Sequence, residues 1–264
     1  MVKTRLMTPG PVEIPPDALL EMARPIFHHR TPRFRKVAQD LAEGLKYVFQ
    51  TTSDAIMLAS SGTGGMEASV VNVLAPGEKA IFVRGGKFGE RWGELCECFG
   101  AKGIALDVAP GESVDPLAVK DALEKHPDAK AVYTTLCETS TGALTDIRAI
   151  GEIVREHRAL LVVDGISGAG AVELRCDAWG VDILVVGSQK ALMVPPGLAV
   201  AIVSPKAWEV IERCPSPRYY FDLRAARKKL KDFDTPFTPG ITLMTGLAKS
   251  VEAIRGEGIE NVWR

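Results

Sequence analysis

An amine and a carboxylate stand directly after two apolar runs of this 264-residue chain. Lys190 follows the run 181–187 and the pair Ser188-Gln189, and Asp164 follows the run 160–163. Runs rich in β-branched residues predict buried strands, and the small and polar residues after them predict loops. Open α/β sheets bind their ligands at the carboxyl ends of such strands. The sequence therefore predicts a ligand site at these strand ends, with Lys190 as the candidate reactive residue.

A glycine-rich segment at 60–65, Ser-Ser-Gly-Thr-Gly-Gly, follows the first predicted strand and opens a predicted helix. Free amides and hydroxyls at a helix N-terminus attract an anion, and the helix dipole favours it. The segment does not match G-x-G-x-x-G because Glu67 occupies the last position, and no Gly-Lys-Ser/Thr follows. We therefore interpret it as a cradle for a monophosphate, although a plain turn before a helix has the same composition.

An amine, a carboxylate and a phosphate cradle together are what a pyridoxal phosphate enzyme requires. Lys190 would hold the cofactor as a Schiff base, and Asp164 would keep the pyridine nitrogen protonated so that the ring accepts carbanion electrons. Taken singly, the lysine could be a surface charge and the aspartate a strand-end carboxylate. The hypothesis of a pyridoxal phosphate enzyme therefore rests on Lys190, Asp164 and the glycine-rich segment together.

The elements that must position these groups alternate along the chain. Apolar residues at helical spacing predict helices at 17–23, 31–49, 65–74, 89–99, 116–124 and 147–157, then a charged helix and a final helix from about Thr242. Apolar runs predict strands at 55–58, 79–83, 103–106, 131–135, 160–163, 182–186 and 198–203. The alternation predicts an α/β fold with a mostly parallel seven-stranded sheet sandwiched by helices. One of the last two strands is expected to run antiparallel, because no helical pattern joins them.

Three regions follow from this pattern. Four prolines in residues 1–16 predict an extended N-terminal arm. Residues 17–240 are expected to form the cofactor-binding large domain, and residues 241–264 the start of a helix that leads out of it. The regular alternation is expected to stop after about Trp208.

Composition bounds the functional class. The chain carries 32 basic and 33 acidic residues, and this balance disfavours a nucleic-acid partner. No stretch approaches the ~20 apolar residues of a membrane span, and no signal-peptide core is present. Five scattered cysteines, an odd number, are interpreted as reduced thiols, so we expect a cytoplasmic protein. His28 and His29 lack a carboxylate or cysteine cluster to complete a metal site, and none is predicted.

Seven motifs, in order and at matching spacing, resemble the class V, fold-type I aminotransferases that include alanine:glyoxylate, serine:pyruvate and serine:glyoxylate transaminases. The motifs are Thr8-Pro9-Gly10-Pro11, His28-His29-Arg30, Ser61-Gly62-Thr63-Gly64, Glu138-Thr139-Ser140-Thr141-Gly142, Val163-Asp164, Gly187-Ser188-Gln189-Lys190 and Pro195-Pro196-Gly197. The resemblance runs from the arm to the end of the chain. It implies pyridoxal phosphate as the cofactor, Lys190 and Asp164 as the catalytic residues, and the large-domain fold of this enzyme class.

The resemblance also assigns the residues around the cofactor. The phosphate would be held by Ser61, Gly62, Thr63 and Gln189. Thr139 would contact the ring oxygen. The two ring faces would pack against Phe88, for which a plain core position is an equal alternative, and against Ile166. Thr238 matches a residue that reaches the phosphate of a neighbouring subunit, which implies a homodimer with shared active sites.

By this resemblance the reaction is transamination between a small amino acid, alanine or serine, and a 2-oxo acid, glyoxylate or pyruvate. Family members usually continue into a small domain that supplies the arginine for the substrate α-carboxylate, and no arginine here matches it. We therefore expect a truncated product or fragment whose turnover could be low. The alternatives are a cysteine desulfurase or lyase of the same fold, a remnant that only binds the cofactor and, in another class, a dinucleotide-dependent oxidoreductase. The last is disfavoured by the incomplete glycine pattern.

Overall fold

A computed structural model describes residues 5–264 of the chain. Seven apolar runs form one sheet, with strands β1 (Asp54–Leu58), β2 (Lys79–Arg84), β3 (Lys102–Asp107), β4 (Ala131–Thr135), β7 (Leu160–Asp164), β8 (Ile183–Gly187) and β9 (Ala199–Val203). Between β4 and β7, a short hairpin is formed by β5 (Cys137–Glu138) and β6 (Ala143–Leu144).

The strand order in the sheet is β1-β9-β8-β7-β4-β2-β3. Only β9 runs antiparallel to its neighbours, β1 and β8, and the other neighbouring pairs are parallel. The predicted mostly parallel seven-stranded sheet is therefore confirmed, including one antiparallel strand among the last two. Since β9 separates β1 from β8, two antiparallel steps leave β1 pointing the same way as the parallel strands. Six of the seven strands thus end at the same edge.

Helices cover both faces of the sheet. Their bounds are α1 (Pro16–Met22), α2 (Pro32–Val48), α3 (Gly62–Val71), α4 (Lys87–Cys98), α5 (Pro116–Lys125), α6 (Ile147–Val154), α7 (Cys176–Trp179), α8 (Pro205–Arg213), α9 (Leu223–Leu230), α10 (Ile241–Glu257) and α11 (Ile259–Val262). One buried cluster joins the sheet to α2, α5, α6 and α10, and a second joins its other face to α3, α4, α8 and α9. Alternate strand residues supply the two clusters, as the period of a strand requires.

Local sequence explains most helix boundaries. Thr31, Asp115, Asp146, Ser204 and Asp222 each accept a backbone N–H at the start of a helix. Proline occupies the first turn of α1, α2, α5 and α8. Backbone N–H groups in the first turn make no hydrogen bond within the helix, so proline, which lacks this group, is tolerated there.

Some boundaries differ from the prediction. Helix α3 spans 62–71 rather than 65–74, because the glycines that disfavour a helix in isolation pack tightly against the sheet: a Cβ on Gly65 would lie 2.6 Å from Val185 Cγ1. Helix α8 (Pro205–Arg213) was not predicted; it follows the last strand, β9, and only helices follow it, so the alternation stops close to the expected Trp208. The hairpin strands and α7 were not predicted because they have only two to four residues each.

The N-terminal arm lies across the same edge of the sheet as the strand ends. Residues 5–15 contain no helix or strand, and α1 begins at Pro16; positions 1–4 of the predicted arm lie outside the described residues. The Val12 N–H donates to the Gln189 carbonyl at 3.1 Å. Among residues 5–264, no helix combines the length and the apolar character that crossing a bilayer would require.

Candidate active site

Parallel pairing brings the predicted amine and carboxylate to one edge of the sheet. Strands β7 and β8 are neighbours, with Asp164 opposite Val185, and Lys190 follows β8 by three residues. Ser61 follows β1, whose direction matches that of β8. The carboxyl ends of these three strands therefore supply the groups that the sequence singled out, as the fold rule for open α/β sheets requires.

A cavity of about 260 Å³ lies at this edge. Nine of the ten predicted site residues line it: Ser61, Gly62, Thr63, Phe88, Thr139, Asp164, Ile166, Gln189 and Lys190. The tenth, Thr238, is exposed and does not line the cavity, so its predicted contact with a neighbouring subunit stays a prediction.

A closed loop holds Lys190. Buried Ser188 donates its hydroxyl to the Pro195 carbonyl at 2.7 Å and accepts the Leu198 N–H at 3.2 Å. Its carbonyl accepts the Val194 N–H at 3.1 Å, so both ends of the loop are tied to one residue. Burial lowers the pKa of Lys190, although the nearby Asp164 carboxylate opposes the shift. The amine is therefore easier to deprotonate than an exposed lysine.

Asp164 is a buried carboxyl at the tip of β7, only 3% exposed. Its Oδ1 accepts the Ile166 N–H at 2.8 Å. Burial raises the pKa of Asp164 to about 7, with the Ile166 hydrogen bond and the charges of Arg91 and Lys190 working in the opposite direction. A cationic group entering the cavity beside this carboxyl would favour its ionised form.

The start of α3 has the features of an anion site. Ser61 is the N-cap residue of α3, but its side chain makes no capping hydrogen bond. The backbone N–H groups in the first turn of α3 therefore have no side-chain acceptor from Ser61. A Cβ on Gly62 would lie 2.5 Å from Ile166 Cδ1, so a larger residue would force the Ile166 side chain to move. The buried Gln189 Oε1 has no hydrogen-bond partner within the described part of the chain. The uncapped first-turn amides are donors that fit a bound phosphate, whereas Gln189 Oε1 is an acceptor that fits a hydrogen-bond donor of a ligand.

Several cavity residues were missed by sequence reasoning. Arg91 donates from Nη1 to Thr63 Oγ1 at 3.1 Å, and its guanidinium lies 5.1 Å from the centre of the Phe88 ring. Ser167 shares a hydrogen bond with Thr139 through the two hydroxyls. Arg91 follows Phe88 by three residues on α4, so the two side chains lie on the same face of the helix. This spacing was the signal in the sequence that could have placed Arg91 beside Phe88. The remaining unpredicted lining residues are Gly10, Pro11, Cys137 and Pro196.

The histidine pair lies apart from the cavity. The rings of His28 and His29 are 4.7 Å apart, and His29 packs edge-on against Phe34. Across residues 5–264, no group of three or more His, Cys, Asp or Glu side chains could hold a metal ion.

The family described as aminotransferase class-V matches residues 22–264. The chain belongs to this family. A relative named the L-aspartate–glyoxylate aminotransferase of Paracoccus denitrificans is 38% identical, over 98% of this chain and 66% of its own length. Another, of Anabaena cylindrica, is named a soluble hydrogenase 42 kDa subunit and is 41% identical, over 99% of this chain and 69% of its own.

Solved structures of class-V aminotransferases have the same fold. The alanine–glyoxylate aminotransferase of Nostoc sp. superposes with a TM-score of 0.95 at 30% identity, over 100% of this chain and 71% of that protein. The chain is therefore an aminotransferase with the large-domain fold of this class, as the motif order predicted.

Pyridoxal phosphate, the cofactor of class-V aminotransferases, fits the cavity. The cofactor carries an aldehyde, a pyridine nitrogen and a phosphate, and the cavity offers a lysine amine, a buried carboxyl and an uncapped helix start. The raised pKa of Asp164 and the unpartnered Gln189 Oε1 are both features that a bound polar ligand would relieve. The donor set thus matches the chemistry of the cofactor group by group.

Proposed function

We propose that this aminotransferase moves an amino group between alanine or serine and a 2-oxo acid, glyoxylate or pyruvate. The observation that carries the proposal is the shared cavity of Lys190, Asp164 and the start of α3. The small amino acids and glyoxylate are supported by the names of relatives, among them the serine–glyoxylate aminotransferase of Arabidopsis thaliana, 34% identical over 97% of this chain.

Lys190 would hold the cofactor and then carry the proton that leaves the substrate α-carbon. When bound, pyridoxal phosphate supplies an electron sink for the pair left on that carbon. A base must be unprotonated to accept a proton, and burial favours this state by lowering the pKa of Lys190. The loop closed by Ser188 would keep Nζ at a fixed position while the proton moves.

Asp164 would pair with the pyridine nitrogen and keep it protonated. A buried carboxylate beside a cation forms a strong charge-assisted hydrogen bond. In the protein alone, burial raises the pKa of Asp164 to about 7, and a cationic partner would return the carboxyl to its ionised form. The Ile166 N–H orients the carboxyl through Oδ1.

The remaining cavity residues would orient the cofactor. Ser61, Gly62, Thr63 and Gln189 would hold the phosphate through amides and hydroxyls at the start of α3. Phe88 and Ile166 would pack against the two faces of the ring, and Thr139 would donate to the ring oxygen. All of these residues line the same cavity, which supports their assignment to cofactor binding.

A cysteine desulfurase is the second candidate, because Cys137 lines the cavity. A desulfurase requires a reactive thiolate. Burial raises the pKa of Cys137, and the nearby Glu138 carboxylate adds to the shift, so the thiol form is favoured. This environment disfavours a desulfurase reaction at Cys137.

The substrate assignment is tested with purified protein and added pyridoxal phosphate. Alanine or serine is supplied with glyoxylate, and the formation of pyruvate, hydroxypyruvate and glycine is followed by chromatography. We expect glycine to form with both donors. Preferential use of aspartate would overturn the substrate assignment, and cofactor binding without any product would favour a remnant that only binds the cofactor.

A further inference from the structure

Glu138 is a buried carboxylate, 5% exposed, that bridges two segments lining the cavity. Its Oε2 accepts the Gly89 N–H at 2.9 Å and the Phe88 N–H at 3.2 Å, both in the first turn of α4. Its Oε1 accepts the Ser140 hydroxyl at 2.6 Å and the Ser140 N–H at 3.2 Å. The Phe88 N–H also lies 3.3 Å from Oε1, so it is shared between the two oxygens, and both oxygens are in use.

The bridge is sterically and electrostatically specific. A Cβ on Gly86 would lie 2.6 Å from the Glu138 carboxyl carbon, so the chain before α4 can approach the carboxylate only as glycine. Burial opposes ionisation of Glu138, but hydrogen bonds from Ser140, Gly89 and Phe88 outweigh it and lower the pKa of the carboxyl. An ionised carboxylate at the start of a twelve-residue helix is also favoured by the helix dipole.

The two joined segments carry cofactor contacts of the proposed function. Phe88 donates its own N–H to Glu138, and its side chain lines the cavity. Thr139 follows Glu138 directly and also lines the cavity, where its hydroxyl meets Ser167. Among the described residues, one further hydrogen bond joins the start of α4 to the hairpin turn: the Lys87 N–H donates to Ser140 Oγ at 3.1 Å.

The geometry points to Glu138 as a positioning residue for the cofactor: its carboxylate fixes the Phe88 ring and the Thr139 hydroxyl relative to each other across the cavity. This inference rests on the proposed function, because it assumes that both side chains contact pyridoxal phosphate. A helix cap with a purely structural role would change the stability of the protein but not the surroundings of the bound cofactor.

The test compares Glu138→Gln with Glu90→Gln. Glutamine keeps the size of Glu138 but turns one acceptor oxygen into an NH₂ group that faces N–H donors. Glu90 is a carboxylate in the first turn of the same helix, and its ion pair is with Lys87 at 2.9 Å. We expect Glu138→Gln to raise the Kd of pyridoxal phosphate about tenfold or more, while Glu90→Gln leaves it within about twofold of the wild type.

Two further readouts separate positioning from folding. The visible circular dichroism of the bound cofactor reports how the ring sits against Phe88, and we expect it to change only in Glu138→Gln. In the protein without cofactor, amide hydrogen exchange of Phe88 and Gly89 should accelerate in that variant. If Glu138→Gln fails to fold, Ser140→Ala removes one donor to the same carboxylate and should give the same changes at smaller size.

An unchanged Kd and an unchanged visible spectrum in folded Glu138→Gln would overturn the inference, even if its melting temperature falls. Failure of the proposed function would look different, because the wild type itself would then bind no pyridoxal phosphate. The wild-type titration therefore decides between the two failures.

Discussion

The pKa of Asp164, raised to about 7 by burial, couples the stability of the cofactor-free protein to pH. Below the ordinary value of 3.8 the carboxyl is neutral in both the folded and the unfolded chain, and its burial carries no charge penalty. As pH rises toward about 7, the unfolded chain releases the proton that the folded chain retains, and the folded state loses stability.

Replacing this carboxyl with a neutral amide should remove the pH-dependent loss. Asp164→Asn keeps an oxygen for the Ile166 N–H. We expect the variant without cofactor to exceed the wild type in unfolding free energy by an amount that grows by roughly 2–3 kcal/mol between pH 5 and pH 8. Urea denaturation at several pH values measures this difference. A difference that is constant over that range would contradict the account of Asp164.

Gly10 of the arm lies against Lys190, so a side chain there should disturb the reactive amine. A Cβ on Gly10 would overlap Lys190 Cδ and lie 2.8 Å from Nζ. We expect Gly10→Ala to weaken binding of pyridoxal phosphate on the order of tenfold, because the amine must move. The control is Gly111→Ala, which also has positive φ but no atom within 4 Å of its Cβ. Equal cofactor affinity in Gly10→Ala and wild type, measured by titration, would argue against the contact.

Sequence reasoning found the site residues that stand in motifs at strand ends, such as Lys190 and Asp164. It missed Arg91 and Ser167, which lie outside the quoted motifs and enter the cavity only through the packing of α4 and the turn after β7. It quoted Glu138 inside a motif without a role, because its hydrogen bonds reach Phe88 and Gly89, about fifty residues earlier in the chain. Contacts between distant segments leave no local pattern to read.

At the scale of elements, α2 and α10 pack so closely that a glycine is required between them. A Cβ on Gly44 of α2 would overlap Val251 Cγ1 of α10. We expect Gly44→Ala to lower the unfolding free energy by about 1–3 kcal/mol through overpacking. Gly256→Ala in α10, where nothing lies within 4 Å of the Cβ, should instead raise it by up to about 1 kcal/mol. Denaturant titration of both variants checks the pair; stabilisation by Gly44→Ala would contradict the close packing.

The strands were predictable to within about a residue because β-branched runs between polar turns mark a buried strand clearly. The start of α3 was not predictable in this way. Three of the four residues 62–65 are glycines, which have low helix propensity, so the sequence places the helix start at Gly65 instead of Gly62. Tertiary packing of Gly65 on Val185 reverses that preference. The same glycines leave the helix start open to a phosphate, so this deviation from local propensity coincides with the site.

At the scale of the whole molecule, we expect a dimer with shared sites. Tyr219 is 81% exposed, and it packs with Tyr220 and Phe237 into an aromatic cluster on the surface beside Thr238. Exposed aromatic clusters of this kind are typical of interfaces. Light scattering of the cofactor-loaded protein should give twice the chain mass, and Thr238→Ala should weaken cofactor binding. A stable, cofactor-loaded monomer would contradict the shared-site hypothesis.

The most direct test of the account is the visible absorption of the purified protein with added pyridoxal phosphate, for wild type and Lys190→Ala. Covalent attachment through Lys190 should give the wild type an absorption band that borohydride reduction makes permanent, and mass spectrometry should place the added mass on Lys190. The variant should show only the spectrum of unattached cofactor. If the wild type shows no such band, or if Lys190→Ala retains it, Lys190 is not the residue that holds the cofactor and the central claim is wrong.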